Sequence, residues 1–246
     1  MRIAILRCPP SPPSRSRALS LLALSALLLG SAAAAAAPAT VGAVDKAQGQ
    51  VEASQAGVPR DLAVAAPVLF GDRLRTGPAA RLEAKLADGT VLTLGEKGRL
   101  TVDKFVYDPD RDGGRLALTV KSGAFLFVGG RIEGPTGGHV DIHTPVGTLG
   151  VRGTTVWGGH IDGGFGVLVL SGEVSLKTPR GTVTMRKGQG TMVYDGKAPS
   201  GAAPWPDDRV NRAVATISFD PATASEPAAS EPLTFDRLLH DVLPAR

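Results

Sequence analysis

Between residues 81 and 94 apolar and polar side chains alternate. Leu82, Ala84 and Leu86 are interleaved with Arg81, Glu83 and Lys85, Asp88-Gly89 supplies a turn, and Thr90 to Leu94 returns as a second run. This pattern predicts a β-hairpin. Val167 to Leu170 is apolar at every position, which predicts a strand covered on both faces and central in its sheet. Up to residue 200 no apolar stripe recurs at the helical period of about 3.6 residues. Four segments echo one another: Gly49-Gln-Val-Glu-Ala53, Gly123-Ala-Phe-Leu-Phe127, Gly172-Glu-Val-Ser-Leu176 and Gly181-Thr-Val-Thr-Met185. Each reads as a turn glycine launching a strand. Repeated turn-and-strand units predict an all-β domain over residues 41–195, wound as a β-solenoid-like fold or roll. An ordinary β-sandwich of hairpins is the alternative.

Past Asp195 the pattern changes. Pro199, Pro204, Pro206, Pro221, Pro227 and Pro232, set among Ala, Ser and Gly, mark residues 196–246 as a Pro/Ala-rich tail. Within it residues 210–219 predict an edge strand. Residues 233–243 place Phe235, Leu238, Leu239, Val242 and Leu243 on one face of a short amphipathic helix, which either docks on the domain or meets a partner.

The other end of the chain reads as an export signal. Arg2, Arg7, Arg15 and Arg17 precede an apolar run from Ala18 to Leu29, and small residues from Gly30 to Ala37 offer Ala-x-Ala cleavage sites. Residues 1–37 are therefore expected to be a signal peptide, and the mature product to be periplasmic. The apolar run is shorter than the roughly 20 residues that span a bilayer, and no transmembrane segment is expected in the mature form. Cys8 precedes the apolar run instead of sitting at the cleavage site, where lipid attachment would need it.

Charge looks different once the signal is set apart. The whole chain carries a formal net charge of +4, and residues 1–37 hold four arginines with no Asp or Glu. The mature chain is then close to neutral, which argues against nucleic acid as a partner. It also lacks cysteine, so disulfides, thiolate nucleophiles and zinc-thiolate sites are excluded.

Two clusters carry candidate metal chemistry. Asp108, Asp110, Asp112 and Gly113 match the opening of an Asp-x-Asp-x-Asp-Gly calcium loop, but its twelfth position is Thr119 where a bidentate glutamate is needed. A solvated hairpin loop is the favoured reading. His139, Asp141 and His143 alternate with Val140 and Ile142, which places three polar side chains on one strand face. Ligands at successive same-face positions seldom converge on a tetrahedral ion, so this too reads as the wet face of a strand. No nucleophile elbow, paired-histidine helix, phosphate loop or dinucleotide fingerprint occurs. The expectation is a protein that is not an enzyme and needs no cofactor.

Several blocks in order resemble the FecR domain, the periplasmic part of ferric-citrate-regulator-type proteins. They are Gly71-Asp72-Arg73-Leu74-Arg75-Thr76, Ala87-Asp88-Gly89-Thr90-Val91-Leu92, and Leu118 to Phe127 around Ser122-Gly123. His143-Thr144-Pro145-Val146-Gly147-Thr148 then leads to Val151-Arg152-Gly153-Thr154, followed by Val169 to Val174 and Lys187-Gly188-Gln189-Gly190. The resemblance implies an all-β periplasmic domain that recognises another envelope protein in cell-surface signalling. Full regulators carry a cytoplasmic anti-sigma segment and a transmembrane helix ahead of this domain, where this chain has its signal-like segment. It is therefore expected to be a stand-alone FecR-domain protein, with a structural envelope module that binds glycan or peptidoglycan as the alternative.

Thr144, Pro145, Val151, Arg152, Gly153, Thr154 and Trp157 form the signature region. Arg152 has five donors among glycines whose carbonyls need partners, so it is expected to lock the turn internally; the other role is an exposed partner contact. Trp157 is expected in the core rather than at a binding surface.

Overall fold

The computed structural model describes residues 38–110, 113–134 and 138–220. The predicted signal peptide, the amphipathic segment 233–243 and Asp112 of the calcium-like loop lie outside them.

The described residues form an all-β fold in which sixteen strands join one curled, half-barrel sheet. β1 (Thr40–Gln48) lies in one half of it. The chain then crosses to β2 (Val51–Gln55) and β3 (Val58–Asp61) in the other half, and returns for β4 (Pro67–Leu69). It crosses again for β5 (Arg73–Thr76) and comes back for the hairpin of β6 (Arg81–Leu86) and β7 (Val91–Leu94). The hairpin of β8 (Arg99–Tyr107) and β9 (Gly114–Ser122), then β10 (Phe125–Val128) and β11 (His139–Thr144), continue the alternation.

Two long strands, β12 (Gly147–Ile161) and β13 (Gly164–Thr178), tie the halves together. The first part of β12 pairs β11 and its second part pairs β10. β13 runs antiparallel to β12 along its length and pairs β14 (Gly181–Arg186) and β15 (Gln189–Val193). Short β16 (Ala203–Pro204) closes beside β15.

Among the described residues only β9 and β11 pair in parallel; every other ladder is antiparallel. Parallel coil-on-coil stacking is therefore not the pairing that carries this sheet, although the all-β expectation holds. The echoing glycines explain the difference. Gly49 and Gly123 stand at corners where the chain changes halves, Gly181 opens the β13–β14 hairpin, and Gly172 lies inside β13.

The inner faces of both halves meet in one core, to which Val44, Leu82, Leu94, Leu100, Leu118, Phe127 and Val169 contribute. Period-two alternation assigns each strand's faces. Phe125 and Phe127 point into this core while Leu126 points outward; Val167 and Val169 point in while Leu168 and Leu170 point out. The outward set is buried too, as the unbroken apolar run at 167–170 predicts.

The element covering that outer face corrects two expectations. Residues 210–219 do not form an edge strand; α1 (Asp207–Ala215) and the turn after it occupy them. Val210, Ala213, Val214 and Ile217 recur at helical spacing and are all buried against Leu126, Trp157, Leu168 and Met192. Asp207 and Asp208 in the first turn and Arg212 in the last suit the helix dipole. A helix of nine residues is too short to persist alone in water, so the sheet face stabilises it. Residues 196–220 are accordingly part of the domain rather than a linker. Trp205 is 8 % exposed, and the Ser200 carbonyl accepts from Thr191 Oγ1 at 2.6 Å.

Candidate functional site

The signature region sits where β12 and β13 lose register. Val151 faces Val174 and Arg152 faces Glu173, but the next pair is Thr155 with Ser171, which leaves a bulge at Gly153-Thr154 opposite Gly172. Gly153 has φ +60° and Gly172 φ +79°, and a Cβ on Gly172 would stand 2.3 Å from the Gly153 carbonyl oxygen. Only glycine fits Gly172 without moving the partner backbone.

Arg152 flanks this bulge. It is exposed, and its guanidinium has no hydrogen bond or ion pair among the described residues. The cross-strand carboxylate of Glu173 accepts from Arg186 Nε at 2.9 Å instead. The expected internal lock by Arg152 is therefore not the one the fold uses. The Thr154 N–H donates to Glu133 Oε2 at 3.2 Å, and the Thr154 carbonyl accepts from the Gly129 N–H at 2.9 Å. The lock comes from a separate loop.

That loop is a single 3₁₀ turn, Arg131–Glu133, held by the Asp88-Gly89-Thr90 block. Asp88 is fully buried. Its carboxylate accepts from Thr90 Oγ1 at 2.7 Å, from the Thr90 N–H at 3.1 Å and from the Ile132 N–H at 3.4 Å, while its carbonyl accepts from the Arg131 N–H at 2.8 Å. Two signature blocks far apart in sequence thus converge on one turn. Burial pushes the Glu133 carboxyl up to about 7, against the pull of the Thr154 and Gly153 N–H groups and with added repulsion from Asp88. Glu133 Oε1 and Thr154 Oγ1 are both buried without a hydrogen-bond partner.

The remaining signature residues bond or pack within the fold. Thr144 Oγ1 donates to the Gly147 carbonyl at 2.7 Å and closes the β11–β12 tip over Pro145. Thr178 Oγ1 does the same to Gly181 at 2.9 Å in the adjacent β13–β14 tip. The repeat Thr-Pro-x-Gly-Thr, at 144–148 and 178–182, was a legible signal that sequence reading passed over. Val151 is buried. Trp157 is 0 % exposed, donates its Nε1–H to Thr216 Oγ1 at 3.1 Å, and packs edge-on to Trp205 with ring centroids 6.0 Å apart. Asp72 of the first block is fully buried, with Arg60 Nη1 on Oδ1 at 2.8 Å and the Leu69 N–H on Oδ2 at 2.7 Å.

His139, Asp141 and His143 share the outer face of β11, as their alternation predicts, and His143 Nδ1 lies 3.0 Å from Thr148 Oγ1. Among the described residues no three His, Cys, Asp or Glu side chains are gathered for a metal. Asp108 and Asp110 lie in the loop of the β8–β9 hairpin, where the Asp110 N–H donates to Asp108 Oδ1 at 3.0 Å. No described helix is long and apolar enough to cross a membrane.

Residues 72–175 match the family described as FecR protein. Two crystal structures from Parabacteroides distasonis, each titled a "putative anti-sigma factor", are similar at 15% identity, with TM-scores of 0.46 and 0.44. Each likeness covers 56% of this chain and 62% of the other, so less than two thirds of those structures is spanned. No curated protein matches the chain.

Proposed function

From the match of residues 72–175 to the FecR family we propose that the chain is an exported, non-enzymatic recognition module of the cell envelope. It binds a protein partner in envelope signalling. The observation that carries this reading is the outward, unpaired Arg152 on a bulge fixed from beneath by Glu133 and Gly172. A fixed backbone leaves only the side chain's own rotamers to be ordered on binding, and interface arginines are frequent anchors. Export rests on the arginines, apolar run and alanines of residues 1–37.

Two measurements on cells producing the tagged chain test the proposal. N-terminal sequencing of the periplasmic protein is expected to begin between about residues 32 and 39. A photo-crosslinker at position 152 is expected to trap one envelope protein, while one at exposed Lys197 on a remote turn traps none. An intact Met1 in the membrane fraction contradicts export. Equal trapping from both positions contradicts the contact.

A further inference from the structure

Cross-strand register places one long row of side chains on the outer face of the β2–β14 half of the sheet. Ser54 faces Arg73, Arg73 faces Thr101, and Thr101 faces Thr119. Thr119 then faces His143, His143 faces Thr148, Thr148 faces Lys177 and Lys177 faces Thr182. Directly paired residues share a face, so this row crosses eight strands; at ~4.8 Å per strand it runs about 34 Å.

None of the eight is buried. Five are hydroxyls and three are bases; the row holds no carboxylate and no large apolar group. Arg73 and Lys177 have no hydrogen bond or ion pair among the described residues, and neither do the hydroxyls of Ser54, Thr101, Thr119 and Thr182. Among the described residues the only side-chain bond within the row joins His143 to Thr148. Beside it Arg75 and Arg99 are direct cross-strand partners of like charge, an unfavourable pairing that Glu52, across from Arg75, does not relieve by an ion pair. Asp141 and Glu173 share the face but not the row.

We propose that this row is a binding surface for an extended acidic polysaccharide laid across the strands. A sheet face offers side chains only, whereas an added polypeptide strand would seek an edge with free backbone groups. Single-stranded nucleic acid would need aromatic stacking platforms, and the row has none. A 1,4-linked pyranose chain advances by close to one strand spacing per ring, so each sugar meets one hydroxyl or one base. Arg73 and Lys177 take its charged groups, and the threonines take its hydroxyls. Arg152 lies on the same outer face, four residues along β12 from Thr148, but it pairs with Glu173 and is not a member of the row, so the row and the protein contact are tested by different substitutions.

The probes are polygalacturonate, neutral dextran and polyglutamate, titrated onto the mature chain by calorimetry at low and moderate salt. Polygalacturonate is expected to bind with an affinity that falls as salt rises, and dextran and polyglutamate to bind at least tenfold more weakly. Arg73→Gln with Lys177→Gln should weaken polygalacturonate at least tenfold, while Lys197→Gln leaves it unchanged. All three positions are exposed, and an unaltered melting curve checks that the variants fold. Equal binding of polyglutamate overturns the polysaccharide assignment. Binding that survives the double substitution overturns the site.

Discussion

Glu133 and Arg152 meet opposite fates at one bulge: the carboxyl is drawn beneath it and the guanidinium is left in water. Sequence reading found Arg152 but assigned it the locking role, because glycine carbonyls nearby seemed to need its donors. The actual lock, Glu133, lies 21 residues from Thr154 in a glycine-rich stretch with no periodicity, and only the fold brings them together. Its raised pKa gives a pH signature. The folded value of about 7 exceeds the ordinary 4.5, so the folded state holds the proton more tightly. The resulting stability is complete below the ordinary value, declines as pH rises between the two, and is gone above about 7. Glu133→Gln keeps an oxygen for the Thr154 N–H and never ionises. Its melting temperature is expected to exceed that of the wild type at about pH 8 and to lose most of the decline between about pH 5 and 7.5. Parallel pH profiles for the two proteins would show that the carboxyl titrates as in water.

Elements were legible where their pattern was local. The 81–94 hairpin and the doubly buried 167–170 run follow from alternation and from its absence. The order of strands was not legible, because a chain that changes halves at Gly49 and Gly123 pairs residues far apart in sequence. Helix α1 was missed for a different reason. Val210, Ala213, Val214 and Ile217 do show helical spacing, but within a Pro/Ala-rich tail the same residues read as an edge strand, with no sheet face in view for a helix to cover. The outer face of β10, β12, β13 and β15 was what it covered. Ending the chain at residue 196, the boundary that composition suggests, exposes Leu126, Trp157, Leu168 and Met192 together. An exposed apolar patch of that kind favours aggregation. The truncated chain is expected to aggregate or to lose several kcal/mol of stability, since each fully buried large apolar side chain contributes roughly 1.5 to 3 kcal/mol. A soluble truncation melting like the full chain would mean that α1 is ornamental to the core.

At the scale of the whole molecule, residues 38–246 hold equal numbers of acidic and basic residues and distribute them unevenly. Buried Asp72 and Asp88 and half-buried Glu133 bind the frame, while unpaired cations collect on the outer sheet face and at the bulge. The FecR blocks divide the same way: Gly71–Thr76 and Ala87–Leu92 build the frame, and Val151–Thr154 presents a side chain from it. The central claim is that Arg152 serves recognition and not folding. The most direct measurement compares wild type and Arg152→Ala on the same preparation, by melting temperature and by recovery of the crosslinked partner. An exposed, unpaired side chain contributes little to stability, within about 0.5 kcal/mol, so the melting temperature is expected to stay unchanged while partner recovery is lost. A lowered melting temperature with recovery falling only in proportion would contradict the account.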